Sequence, residues 1–193
     1  MNNNEYSVLQ TKWLDKQVDY SGNELRGHFV RELSGIKNDG VVAFAGSCSV
    51  RGESLVDLED AEAGCTIESK NMLHFIGEHF SCPLREANFR LRVFASVVKD
   101  LFQKCVSDIE IDRSGDDLFI EDRKLTVAIS TLTPVSAVFH FGINIDPEGA
   151  PVPAAGLEEF GVEVKWMAEE TLERYRLECN SVEMALRKVR GRY

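Results

Sequence analysis

The 193-residue chain lacks any paired arrangement of its five cysteines, and their placement excludes several kinds of site. Their number is odd, and no two of them stand at the CxxC spacing that zinc sites and redox pairs use. A complete disulfide framework and a site built on paired cysteines are therefore not expected. We expect reduced thiols, as in a cytoplasmic protein.

Long apolar runs and a basic leader segment are also lacking. No apolar stretch approaches the roughly 20 residues that a membrane helix needs, so no membrane contact is expected. The first residues have neither the basic nor the apolar region of a signal peptide, which again predicts a cytoplasmic location. The 22 basic and 32 acidic residues give a net charge of −10, and such a surface repels phosphate backbones, so nucleic acid is not an expected partner.

Familiar catalytic and metal-binding motifs are missing as well. The chain has no nucleophile elbow, no P-loop and no dinucleotide-binding fingerprint. His74 and His79 are five residues apart, whereas a zinc-protease helix needs histidines four apart, so we expect no metal there. The pattern instead predicts a surface or interfacial helix on which His74 pairs with Glu78. Five carboxylates between residues 53 and 62 are typical of a solvated acidic face, with the alternative that some of them face a pocket.

Apolar residues recur at helical spacing in five segments. Ser21 and Glu24 have capping-box spacing and introduce a predicted helix over residues 23–35. The strongest helix is predicted over residues 86–104, with Phe89 and Val93 on its apolar face. The other predicted helices are residues 69–80, Trp166–Glu178 and Val182–Arg190.

Alternating apolar residues predict strands in much of the remaining chain. Two early strands are predicted at Tyr6–Trp13 and Val41–Ala45, and four short alternating runs between residues 109 and 145 indicate consecutive antiparallel strands. Residues 146–156 hold three prolines and two glycines, which predicts a loop. Helices beside consecutive strands indicate a single α+β domain over residues 1–193, with a mixed, largely antiparallel sheet packed against helices.

The stretch from Gly115 to Ile129 offers the most specific candidate site. It contains an acidic turn, a strand, a polar turn and then Lys124 at the start of a second strand, seven residues after Asp117. A lysine at a strand start, with its tip in a pocket, can hold a carboxylate or an acyl-phosphate oxygen as a point charge. Spacing alone favours the alternative, a hairpin whose turn is merely solvated.

Several elements in this half of the chain occur in the same order in a known family. They are the helix at residues 86–104, Asp116-Asp117-Leu118, Asp122-Arg123-Lys124 and Gly142-Ile143-Asn144. This ordered set resembles the catalytic core of biotin and lipoate protein ligases. The whole chain also resembles a small family of unknown function within that superfamily.

The resemblance implies a ligase or acyltransferase that activates a small carboxylic acid. In that case Lys124 contacts the acid carbonyl as the catalytic residue, Asp117 and Asn144 border a nucleotide, and ATP with Mg²⁺ is the implied cofactor. The ligases also have a glycine-rich loop with an arginine, for which only loose counterparts exist here, at Arg26-Gly27-His28 and at residues 46–52. The alternative is therefore a non-catalytic module on the same scaffold, which binds a small ligand or forms a homodimer.

Overall fold

The computed structural model describes residues 9–191, which contain eight β-strands in two sheets and four α-helices. The strands are β1 (Gln10–Gln17), β2 (Gly40–Val50), β3 (Ile67–Phe80), β4 (Ile111–Ser114), β5 (Asp117–Ile120), β6 (Arg123–Lys124), β7 (Thr126–Leu132) and β8 (Ser136–Asp146). The helices are α1 (Phe29–Ser34), α2 (Leu58–Glu62), α3 (Leu84–Cys105) and α4 (Val164–Lys188).

The main sheet has five strands in the order β1-β2-β3-β8-β7. Only the β1–β2 pair is parallel, and the other three pairs are antiparallel. A second antiparallel sheet has the order β4-β5-β6. The predicted fold class is confirmed: the protein is α+β, with a mixed, largely antiparallel sheet packed against helices.

One face of the main sheet packs against the long helices α3 and α4. Phe94 of α3 is fully buried, and its ring lies 5.0 to 5.3 Å from the rings of four other aromatic residues. These are Phe75, Phe139, Phe141 and Tyr175. Aromatic pairs at such distances and tilts add to the free energy gained from burial, so this cluster holds the helices on the sheet.

The opposite face of the sheet is covered only in part. Val42 and Phe44 of β2 and Ile76 of β3 pack with α1 residues in a second apolar cluster. Toward β7 and β8 this cover ends, and the sheet face there lines a cleft. The candidate site therefore lies on the side of the sheet away from α3 and α4.

The predicted helix over residues 69–80 is wrong, because these residues belong to strand β3. β3 lies in the centre of the main sheet, between β2 and β8, with both faces buried along most of its length. A strand covered on both faces is apolar on both faces, and its sequence loses the two-residue alternation that would identify it. His74 and Glu78 therefore do not form a surface pair. The Glu78 carboxylate instead accepts hydrogen bonds from the His28 backbone N–H and the Ser136 hydroxyl, both at 2.7 Å.

Other predicted boundaries also change. The helix expected over residues 23–35 is reduced to α1, since the backbone turns left-handed at His28 (φ 66°); the Glu24 carboxylate still accepts the Ser21 N–H at 2.8 Å, within a turn. The strand expected at Tyr6–Trp13 is observed as β1, and residues 6–8 lie outside the described residues.

At the C-terminal side, the two predicted helices are one, α4, because neither proline nor glycine interrupts residues 179–181. The helix over residues 86–104 is confirmed as α3. Phe89 and Val93 are exposed, however, and the buried face is formed by Leu91, Phe94 and Val98.

Candidate functional site

A cleft of about 320 Å³ opens on the sheet face between β7 and the segment that contains α2. Its polar and charged lining includes four carboxylates, one ammonium and two buried rings. These are Asp57, Asp60, Asp116, Asp117, Lys124, Tyr20 and His140. The volume lies at the lower end of the range for small-molecule sites.

The backbone fixes Lys124 at the wall of this cleft. Its N–H donates to the Pro153 carbonyl at 2.9 Å, and its own carbonyl accepts from the Ala155 N–H at 3.1 Å. Lys124 lies opposite Phe119 in the β5–β6 ladder, so its side chain is a diagonal neighbour of Asp117. The Lys124 Nζ is 2.8 Å from an Asp117 carboxylate oxygen, and each side chain is about 30% exposed.

Asn144 lies directly behind Lys124. Its side-chain Nδ2 donates to the Lys124 carbonyl at 3.3 Å, and its backbone N–H donates to the Leu125 carbonyl at 3.0 Å. Asn144 also lines an adjoining chamber of about 280 Å³, of which Lys124 forms part of the wall. The structure thus brings the three sequence-predicted residues, Asp117, Lys124 and Asn144, to one place between two chambers.

Two carboxylates of the acidic segment 53–62, those of Asp57 and Asp60, face the cleft, as one of the two interpretations of that segment predicted. Asp57 begins α2, and its carboxylate accepts the backbone N–H groups of Glu59 and Asp60 at 2.9 and 3.2 Å. Burial raises the pKa of Asp117, and the charges of Asp116 and Asp60 raise it further, whereas Lys124 lowers it. Burial of Asp117 therefore outweighs the attraction of its one bonded cation.

Two histidines under the cleft are site residues that the sequence does not identify. The His74 Nε2 lies 3.2 Å from the Gly46 carbonyl, and the His74 Nδ1 lies 3.0 Å from the His140 Nε2. A carbonyl only accepts, so His74 donates from Nε2, and His140 must donate its Nε2–H to His74. This chain of donors assigns the His140 proton to Nε2 and leaves its Nδ1 with a free lone pair.

Burial keeps both rings neutral. It lowers the pKa of His74 to about 4, and it holds the pKa of His140 well below its usual range, with His74 adding to the effect. The sequence signal for these residues is a histidine within an otherwise apolar strand. The expectation of a helix over residues 69–80 hides that signal for His74.

Tyr20 covers His140, and no pattern in the sequence identifies it as a residue of the site. Its backbone N–H donates to the Ser47 carbonyl and its carbonyl accepts from the Ser49 N–H, both at 2.9 Å. The chain reaches this position by crossing Gly46, where a Cβ would lie 2.0 Å from the Val18 carbonyl oxygen. The Tyr20 ring then stacks on the His140 ring, with centroids 3.9 Å apart and planes 13° from parallel.

His79 belongs to a separate polar cluster on the other face of β3. Its Nδ1 lies 3.0 Å from the Asp39 carboxylate, and its Nε2 lies 3.0 Å from the Tyr175 hydroxyl. These contacts fasten β3 to α4 and do not reach the cleft. Within residues 9–191, no three His, Cys, Asp or Glu side chains are grouped so that they could hold a metal ion.

The fold places the protein in a recognisable structural class. It is similar to a biotin protein ligase from Aquifex aeolicus in complex with biotin and ATP (TM-score 0.56, 16% identity, 89% of this chain and 70% of that chain). It is also similar to a putative lipoate protein ligase from T. acidophilum with bound lipoic acid (TM-score 0.53, 14% identity, 89% of this chain and 86% of that chain). At these identities the likeness shows the fold alone, which is that of the biotin and lipoate protein ligases.

The family within this class follows from the sequence. Residues 9–190 match a family described as a domain of unknown function (DUF366), and the chain belongs to that family. An uncharacterised protein from Methanocaldococcus jannaschii is 30% identical over 196 residues, which cover 95% of this chain and 88% of that protein. A protein of unknown function from Pyrococcus horikoshi has a similar structure (TM-score 0.89, 31% identity, 96% of this chain and 100% of that chain).

The lining of the cleft can be tested against the cofactor that the resemblance implies. Lys124 is the one Lys or Arg among the described residues that line the cleft, and it is already paired with Asp117. The triphosphate of ATP would meet three further carboxylates there, and no grouped metal ligands are present in residues 9–191 to offset that repulsion. The residues present therefore do not fit a bound Mg-ATP.

Proposed function

We propose that this protein binds a small carboxylic acid, free or as an acyl group, in the cleft, and that Lys124 holds its carboxylate or carbonyl oxygen. The observation that supports this most is the half-buried Lys124–Asp117 pair, fixed by backbone hydrogen bonds between two chambers. An ammonium held in place stabilises negative charge on an acyl oxygen without reorganisation. Asp117 orients this ammonium, and Asn144 holds the backbone behind it.

Of the two reactions that the resemblance suggests, acyl transfer fits the cleft better than ATP-dependent ligation. The reason is the acidic lining, which opposes a triphosphate but not an acyl group delivered from an activated donor. The second candidate is binding without catalysis. It is favoured by the lack of a clear counterpart to the glycine-rich, arginine-containing loop of the ligases in the sequence.

A thermal-shift panel on the purified protein tests the proposal. The probes are biotin, lipoate, octanoate, Mg-ATP and non-hydrolysable acyl-adenylate mimics. A ligand at about 100 times its dissociation constant stabilises the folded state by about 2.7 kcal/mol. We expect an acid to give such a shift and Lys124→Ala to abolish it.

The matched control is Arg123→Ala. Arg123 precedes Lys124 in β6, but its guanidinium pairs with Glu159 at 2.7 Å and does not line the cleft. This variant should keep the wild-type shift. A folded Lys124→Ala protein that binds every ligand as well as the wild type would overturn the proposal.

A thioester assay on the same purified protein distinguishes the candidate reactions. Release of free thiol from an octanoyl thioester, with mass spectrometry locating the octanoyl group on an added amine or thiol acceptor and not in free octanoate, would support acyl transfer. Binding of an acid with no such release would support the non-catalytic candidate. A shift with an acyl-adenylate mimic that depends on Lys124 would instead favour ligation and contradict the argument from the acidic lining.

The predicted cytoplasmic location and homodimer stay predictions. Among the described helices, none is long and apolar enough to cross a membrane. Four exposed apolar side chains, Phe89, Val93, Val182 and Leu186, line a groove of about 400 Å³ between α3 and α4. If copies associate there, Leu186→Glu should convert a dimer to a monomer in sedimentation velocity, and a wild-type monomer would contradict the homodimer.

A further inference from the structure

The last turns of α4 extend beyond the folded core. Tyr175 is the last buried residue of this helix, yet the helix continues through residues 176–188, a length of about 20 Å. A helical segment this short is marginal in water on its own, because most helical stability in proteins comes from packing an apolar face against a neighbour. The end of α4 is therefore expected to pack against more than its own chain provides.

An apolar seam runs along α4 and continues past the point where the core ends. Its residues are spaced alternately by four and three positions, as in a coiled coil. They are first Ala168, Leu172 and Tyr175, which are buried, and then Cys179, Val182 and Leu186, which line the groove between α3 and α4. Val182 is 57% exposed and Leu186 is 66% exposed, so α3 covers the second half of the seam only in part.

The charges beside this second half have opposite signs at its two ends. Glu183 is 3.7 Å from Arg187 on the same helix. Within residues 9–191, Glu178 has no basic group at ion-pair distance, and neither Lys188 nor Arg190 has an acidic one. The segment therefore begins with an unpaired negative charge and ends with unpaired positive charges. Two such segments attract each other when they lie antiparallel and repel each other when they lie parallel.

From the seam and this order of charges we propose that the groove is filled by the end of α4 from a second copy of the chain, with the two helix ends antiparallel about a twofold axis. The α3 and α4 helices of both copies then form a four-helix arrangement, with Val182 and Leu186 at its centre. Glu178 of each copy lies beside Lys188 and Arg190 of the other, and the symmetry makes every such contact occur twice. This inference uses no residue of the cleft and does not depend on the proposed function.

An anionic membrane is a less suitable partner for the same apolar side chains. The chain carries a net charge of −10, and the carboxylates of Glu86, Glu178 and Glu183 line the groove. These charges repel an anionic lipid surface. A second copy instead brings its own basic helix end to Glu178.

Sedimentation velocity of the purified protein tests the association. We expect the wild type to be a dimer and Val182→Glu to be a monomer, because the new carboxylate would lie in the apolar centre. Glu178→Lys should weaken association about tenfold, since like charges then meet at both ends of the interface. The matched control is Glu169→Lys, the same change at an exposed position of α4 outside the seam, and it should leave the association unchanged.

Zero-length cross-linking with a carbodiimide tests the orientation. This reagent joins a carboxylate directly to a lysine. Glu178 and Lys188 are ten residues apart in the sequence, which is about 15 Å along one helix and beyond the combined reach of the two side chains. A Glu178–Lys188 cross-link, identified by mass spectrometry, therefore forms only between two copies, and it requires the antiparallel arrangement.

A dimer that carries this cross-link and is lost in Val182→Glu supports the inference. A wild-type monomer overturns it, and binding of that monomer to anionic vesicles would assign the surface to a membrane. A dimer that survives Val182→Glu, or that forms no Glu178–Lys188 cross-link, also overturns it. Circular dichroism checks that the variants are folded, which we expect because no residue of α4 after Tyr175 is buried.

Discussion

The buried His74–His140 pair makes the protein sensitive to acid in a way that can be calculated. In the unfolded chain a histidine binds a proton near pH 6.5, but burial lowers the pKa of His74 in the fold to about 4. The unfolded state therefore binds more protons between these values, and stability falls as the pH falls through this window. At pH values below the folded-state pKa, protonation of His74 alone lowers the free energy of unfolding by about 3 kcal/mol. About 2 kcal/mol of this is already lost at pH 5.

The assay is urea unfolding followed by circular dichroism at a series of pH values from about 7.5 to 5. Other groups titrate in this range, so the test compares slopes between variants. His74→Gln keeps an N–H that can donate to the Gly46 carbonyl but cannot titrate, and we expect it to flatten the pH dependence by about 2 kcal/mol over this range. The matched control is His28→Asn, at an exposed position that leaves the buried pair intact. If His74→Gln and the wild type lose stability in parallel, the buried neutral pair is refuted.

Two further substitutions test the packing that positions the site. Phe94→Ala removes the ring at the centre of the aromatic cluster. It should lower the free energy of unfolding, measured by urea titration, by about 3–5 kcal/mol. A loss under about 1 kcal/mol would contradict the central position of Phe94 in the cluster. Gly46→Ala puts a Cβ against the Val18 carbonyl and should cost about 2 kcal/mol or more and displace Tyr20, which thermal unfolding and tyrosine fluorescence would report. If the Gly46→Ala variant is as stable as the wild type, the Val18 backbone does not pass as close to Gly46 as described.

Prediction from the sequence succeeds best where independent local signals agree. The bounds predicted for α3 agree with the structure within two residues at each end, because its apolar period and the preceding Pro83 agree. Even there the predicted buried face is only partly right, since Phe89 and Val93 fall on the side that the sheet does not cover. Periodicity indicates which residues share a face, but the packing partner decides which face is buried.

Prediction from the sequence fails where tertiary contacts determine the secondary structure or bring distant residues together. Strand β3 is mistaken for a helix because two neighbouring strands and two covered faces remove its alternation. For the candidate site, the order of short motifs suffices to bring Asp117, Lys124 and Asn144 together. Tyr20 and His140 cannot be found in this way, because one comes from a loop that crosses β2 and the other from a strand distant in sequence.

The most direct test of the role of Lys124 is a crystal structure of the protein with the acid that shifts its melting temperature most. We predict a carboxylate oxygen about 2.7–2.9 Å from the Lys124 Nζ, the distance of a charge-assisted hydrogen bond. The remainder of the ligand should extend along the cleft toward His140. A ligand whose carboxylate is bound elsewhere, with Lys124 still paired to Asp117 alone, would contradict the account.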